Sequence, residues 1–136
     1  MYVNDGIAVM IVDDDADDVH LFREAIREIN PHVNCQIFMG SEHFIQHLLE
    51  ASSLPDYVFL DVNMPKINGL ECLGLIRENQ SIRNVPVVIY TTSVRSEDKE
   101  KAQRLGAFSY IVKPTGFNEL KAYLRHILSG KKIWMY

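Results

Sequence analysis

Four groups of residues in this chain carry chemistry that could work together. Asp13, Asp14 and Asp15 run consecutively, Asp61 follows an apolar stretch, Thr91, Thr92 and Ser93 form a run of hydroxyls, and Lys113 precedes Pro114. Carboxylates held close together repel, and they are costly to keep ionised without a cation. All-oxygen ligands favour a hard ion. Magnesium in particular binds one or two carboxylates together with waters and a phosphate. An ammonium and a hydroxyl suit the oxygens of a phosphoryl group, and a carboxylate can be the nucleophile that becomes an aspartyl phosphate. The set therefore reads as a site for metal-assisted phosphoryl transfer, with Mg2+ (or Mn2+) neutralising charge on the transferring group.

These residues stand far apart in the chain, so the fold has to bring them together. Strand-like and helix-like patterns alternate five times. The strand patterns cover 8–12, 33–38, 57–60, 87–90 and 110–112. Four are continuous apolar runs, as expected of parallel strands buried on both faces. The second alternates apolar Val33, Cys35 and Ile37 with polar Asn34 and Gln36, which marks a strand at a sheet edge. Between the strands, apolar residues recur at helical spacing: Val19, Phe22, Ile26 and Ile29; Phe44, Ile45 and Leu48; Leu70, Leu73 and Ile76; Phe117, Leu120, Leu124 and Ile127. The fourth helix, around Glu97 to Leu105, offers little beyond Ala102 and Leu105 and should be loosely packed. Asn30-Pro31 should end the first helix, Ser41 should cap the second, and Gly106 should end the fourth. Five strand–helix repeats imply an α/β, doubly wound, five-stranded parallel sheet with five helices. The flavodoxin-like strand order 2-1-3-4-5 gives the second strand its edge position. In such sheets ligands bind beyond the carboxyl ends of the strands, near the switch point between strands one and three. Asp13 to Asp15, Asp61, the hydroxyl run and Lys113 each follow a strand, and packing alone requires no such set.

Four strings make a resemblance specific: Val-Asp-Asp-Asp at 12–15, Phe-Leu-Asp-Val-Asn-Met-Pro at 59–65, Thr91 after Pro-Val-Val-Ile-Tyr, and Val-Lys-Pro at 112–114. In this order and spacing the chain resembles the receiver domains of response regulators over nearly its whole length. The cluster at 13–18 and the Thr-Thr-Ser run are similar to a single-domain subgroup that includes phytochrome-linked regulators. The resemblance implies a two-component signalling module that accepts a phosphoryl group on Asp61 from a sensor histidine kinase or phosphotransfer protein. It implies Asp14 and Asp61 as metal ligands, Asp13 as a ligand through water, and Asn63 as a ligand through its backbone carbonyl. Lys113 and Thr91 would contact the phosphoryl group. Thr91 and Tyr110 would form the switch pair, in which the hydroxyl moves toward the phosphate and the aromatic ring turns inward. One position departs from the family: Thr92 stands where a small residue is usual, and would narrow access to the acid.

The remaining features are read more plainly. The 136 residues suit one domain, with a core over about 7–129 and a tail over 130–136. At 47% hydrophobic and 24% charged, the chain can bury a real core, and its net charge of −4 makes nucleic acid a poor partner. No apolar run is long enough for a membrane span, and residues 1–6 do not resemble a signal peptide. The two cysteines, Cys35 and Cys72, read as reduced packing residues, so a cytoplasmic location is expected. Asp13, Asp15, Asp17 and Glu24 imitate part of a calcium loop, but Asp18 stands where that loop needs glycine. His43 and His47 lack the glutamate of a zinc helix. Asp13 and Asp15 also imitate the start of a haloacid-dehalogenase-like phosphohydrolase, the competing enzyme reading, although Asp17 breaks that pattern. A non-phosphorylated docking module would be expected to lack one of the acids. No effector domain is expected after the last helix. Self-association as a homodimer is expected through the fourth helix, fifth strand, fifth helix and apolar tail, the alternative being a tail folded onto its own domain.

Overall fold

The computed structural model describes residues 6–135. Its strands are β1 (Ala8–Val12), β2 (Asn34–Phe38), β3 (Tyr57–Leu60), β4 (Val87–Thr91) and β5 (Ser109–Val112). Its helices are α1 (Ala16–Ile29), α2 (Ser41–Glu50), α3 (Gly69–Glu78), α4 (Ser96–Arg104) and α5 (Phe117–Leu128). All strands pair in parallel in the order β2-β1-β3-β4-β5. The central strands are buried on both sides while β2 alternates, as the apolar runs and the alternating run require. One core lies under α1 and α5, around Phe22, Ile26, Phe59, Leu120 and Leu124. The other lies under α2, α3 and α4, around Phe44, Leu48, Leu60, Leu73, Ile89 and Tyr110. Both cysteines are free, and burial pushes each thiol up to about 11, so they stay protonated and fill space.

Several local expectations need correction. Val33 precedes β2 rather than opening it, and Thr91 is the last residue of β4 rather than the first after it. Ser109 begins β5. Ser41 does not cap α2. Gly40 occupies the cap position, and the Ser41 hydroxyl donates to the Ile67 carbonyl at 3.1 Å. A distant carbonyl has taken the hydroxyl that local pattern assigns to the helix end. Asn30 closes α1, and Gly106, at φ 71, follows the end of α4. Of the nine residues of α4 only Ala102 is buried, and no side chain caps its N-terminus.

The tail folds onto its own domain. Tyr110 N–H donates to the Ile133 carbonyl at 2.9 Å, and Met135 N–H donates to the Tyr110 carbonyl at 3.0 Å. Ile133 N–H donates to the Ser109 hydroxyl at 2.9 Å, and the Trp134 ring stacks on Tyr110 with centroids 6.3 Å apart. The unpaired edge of β5 thus satisfies its backbone groups with the tail, and Ile133, Trp134 and Met135 pack half-buried against the domain's own core. Tyr136 lies outside the described residues. Ending the chain at Gly130 should lower stability by about 1–3 kcal/mol, the value of one or two half-buried apolar side chains. Urea denaturation measures this, and an unchanged midpoint would mean that the added strand contributes nothing.

Candidate functional site

The carboxyl ends of β1, β3 and β5 deliver the chemistry. Backbone pairing fixes each residue: Asp13 N–H donates to Phe38 O at 3.0 Å, Asp61 N–H to Val12 O at 3.1 Å, and Lys113 N–H to Thr91 O at 2.8 Å. Oxygens of Asp13, Asp14 and Asp61 then lie within 4.8 Å of one another. Asp13 is fully buried, Asp61 nearly so, and Asp14 is exposed at the mouth.

Lys113 Nζ lies 2.6 Å from Asp13 Oδ2, 2.7 Å from Asp18 Oδ2 and 3.3 Å from Asp61 Oδ2. Burial opposes its charged form, but the hydrogen bonds to Asp13 and Asp18 and the charges of Asp61 and Asp13 outweigh it and hold the lysine above its ordinary pKa. Burial pushes the Asp13 carboxyl up to about 6, against the lowering effect of its hydrogen bonds from Lys113 and from the Asp15 amide. The Asp61 charge adds to that rise. Three carboxylates converge beside one ammonium, so the donor set is hard, anionic and under-compensated. That chemistry fits a divalent cation such as magnesium.

The loop after β3 shapes the other wall. Asn63 N–H donates to Asp61 Oδ1 at 3.2 Å, which orients the carboxylate. Lys66 takes φ 65, a left-handed conformation that turns the chain toward α3. There Asn68 accepts from the Leu70 and Glu71 amides while the Glu71 side chain accepts from the Asn68 amide. Gly69, the first residue of α3, lies directly against the Asp61 backbone: a Cβ built there would meet Asp61 O at 2.0 Å.

Thr91 is fully buried, and its Oγ1 accepts from Ser93 N–H at 3.3 Å and from Asn63 Nδ2 at 3.5 Å. The Tyr110 ring points inward and is fully buried, and its hydroxyl donates to the Ser93 carbonyl at 3.0 Å. Ser93 therefore joins the two residues through its own amide and carbonyl, and its hydroxyl donates to Asp98 Oδ2 on α4 at 2.5 Å. Thr92 is exposed.

All the sequence-predicted site residues thus gather on this one edge: Asp13, Asp14, Asp61, Asn63, Thr91 and Lys113, with Tyr110 behind Thr91. Sequence reasoning missed two partners. Asp18 lies in the first turn of α1, where the helix N-terminus favours a negative charge, and it also grips Lys113. Asp15 is the N-cap of α1, accepting from the Asp17 and Asp18 amides. Ser-Asp-Asn-Thr cap propensity could have identified Asp15, whereas nothing local marks Asp18. His43 and His47 are exposed, and the His47 ring packs against Phe38 with centroids 5.1 Å apart.

A family profile described as "Response regulator receiver domain" matches residues 9–125. The probable methanogenesis regulatory protein FilR2 of Methanothrix harundinacea is 37% identical over 83 residues, covering 61% of this chain and 52% of that protein. This chain thus spans about half the length of that relative. The phosphorylated cyanobacterial phytochrome response regulator RcpA superposes with a TM-score of 0.81 at 25% identity, over 88% of this chain and 89% of that one. The Mn(2+)-bound form of response regulator Rcp1 gives 0.79 at 25% identity, over 90% and 91%.

Proposed function

Because this chain belongs to the response regulator receiver domain family, we propose that it is a phosphoacceptor switch, modified on Asp61 by a histidine kinase or phosphotransfer protein. Receiver domains are signalling modules of two-component systems, and such kinases or carriers are their phosphoryl donors. The observation that carries the residue assignment is the meeting of Asp13, Asp14, Asp61 and Lys113 at one sheet edge. The Asp61 carboxylate attacks phosphorus, an oxygen–phosphorus bond forms, and the donor nitrogen leaves with its bonding pair. Lys113 donates to a phosphoryl oxygen. Asp14, Asp61 and the Asn63 carbonyl would hold Mg2+ (or Mn2+) directly, and Asp13 would hold it through water. Bound there, the ion would offset charge on the transferring oxygens. Incorporation of phosphate from acetyl phosphate with magnesium, and its loss with a chelator, tests this reading. The phosphohydrolase alternative makes Asp13 the nucleophile, yet Asp13 has both oxygens engaged, by the Asp15 amide and by Lys113.

Thr91 would pass the state on. A phosphoryl oxygen near Asp61 gives its hydroxyl a new acceptor, and a ligand shifts an equilibrium only through such differential contacts. Ser93 then connects Thr91 to Tyr110 and to α4. Trp134, the single tryptophan, stacks on Tyr110 and serves as the reporter. Beryllofluoride with magnesium should change its fluorescence in the wild type. Thr91→Ala should still be phosphorylated but should lose most of that change. A full response in Thr91→Ala would remove Thr91 from the switch.

No helix among the described residues is long and apolar enough to cross a membrane, and we assign the protein to the cytoplasm, where its free thiols would stay reduced. The acidic surface favours protein rather than nucleic-acid partners. A homodimer through this side of the domain would use the outer faces of α4 and α5, because the tail occupies the β5 edge.

A further inference from the structure

We propose that Asp18 is a positioning residue that tethers Lys113 away from the phosphoacceptor and releases it when Asp61 is modified. The inference rests on Asp61 as phosphoacceptor and Lys113 as the phosphoryl-binding cation.

An ammonium has three N–H donors. Those of Lys113 are divided among Asp13 at 2.6 Å, Asp18 at 2.7 Å and Asp61 at 3.3 Å. Charge-assisted bonds of this type normally measure about 2.7–2.9 Å, so the contact with Asp61 is the slack one. Lys113 is drawn toward α1, and only its slack donor, the one facing Asp61, is left for a phosphoryl oxygen. Bringing the ammonium fully onto a phosphoryl group at Asp61 draws it off α1, and its two tight partners differ in what letting go costs. The Asp13 side chain has no exposure, so losing Lys113 would leave its buried charge with the Asp15 amide as its remaining hydrogen-bond donor. The Asp18 side chain is 31% exposed. It also sits in the first turn of α1, where water and the helix N-terminus both stabilise a free carboxylate. Asp18 is the partner that can let go.

The tether holds the lysine in the unmodified state and competes with the phosphoryl group for it. Asp18→Asn keeps the shape and weakens the grip, so the modified state should gain. Beryllofluoride with magnesium is the probe, its binding followed by 19F NMR. Asp18→Asn should bind it roughly two- to fivefold tighter than the wild type, the range set by a partly exposed ion pair. Asp18→Glu, which keeps the carboxylate on a longer arm, should return most of the way to the wild type. Asp17→Asn is the control. Asp17 is exposed in the same turn and carries the same charge, but none of Lys113's three carboxylate partners is Asp17. It should bind the probe like the wild type. The tether fails if Asp18→Asn binds no tighter than the wild type, if Asp17→Asn gains as much, or if Asp18→Glu fails to restore. A wild type that does not bind the probe at all would overturn the phosphoacceptor reading itself.

Discussion

Asp61→Asn is expected to abolish phosphate incorporation from acetyl phosphate and magnesium, to below a hundredth of the wild-type rate, roughly the loss of more than 2.7 kcal/mol of transition-state stabilisation. The substitution is nearly isosteric, and Asn63 N–H can still donate to the remaining oxygen, so the fold has no reason to change. What is lost is the anionic nucleophile, because an amide oxygen is a poor donor of electrons to phosphorus. The neighbouring acids cannot substitute. Asp13 is fully buried with both oxygens engaged, and Asp14 lies exposed at the mouth. Mass measurement of the intact protein, with the acid-stable and base-labile character of any label recorded, decides the matter. Persistent labelling of Asp61→Asn with that chemistry would place the acceptor elsewhere. Asp13→Asn then tests the phosphohydrolase reading.

The second large effect is structural. Gly69→Ala should destabilise the protein by about 3 kcal/mol or more, the upper range for overpacking. The new methyl carbon would fall 2.0 Å from Asp61 O, 2.7 Å from Asp61 C and 2.9 Å from Val62 Cα. All three are backbone atoms, so no rotamer change relieves the overlap. Either α3 moves off β3 or the peptide carrying the phosphoacceptor twists, and labelling should fall with stability. Gly74→Ala is the matched comparison. It lies in the same helix, a Cβ there meets nothing within 4 Å, and it should stabilise by about 0.5–1 kcal/mol through helix propensity. Equal unfolding midpoints for the two variants would refute the close approach.

The sheet and the acids were legible because their causes are local. Continuous apolar runs at β1, β3, β4 and β5, against the alternation of β2, state which strands are covered twice, and strand ends then dictate where Asp13, Asp61 and Lys113 meet. What escaped sequence reasoning depends on distant contacts. The Asp18–Lys113 pair joins residues 95 positions apart. The hydroxyl of Ser41 is claimed by Ile67 rather than by its own helix. The need for glycine at 69 arises from the β3 backbone, although the Asn68–Glu71 capping box beside it follows a readable pattern. The tail's apolar character was plain, but its acceptor is the Tyr110 edge of β5, which no local signal identifies.

Arg77 fixes how α4 can move. From the C-terminal turn of α3, its guanidinium donates to the carbonyls of Leu105 and Gly106, just past the end of α4, and to those of Arg83 and Val85. The opposite end of α4 has no side-chain cap and leads from Val94, which is 66% exposed. That end is tied through Ser93, whose hydroxyl donates to Asp98, so a swing of the helix would pivot about the Arg77 end and be read at Ser93. Nine residues make an arm of about 13 Å, so a rotation of about ten degrees carries the Ser96 end roughly 2 Å while the Arg104 end stays still. A partner that reads such a swing would touch the arm near Val94 and Glu97. One that grips the pivot near Gly106 would not sense it.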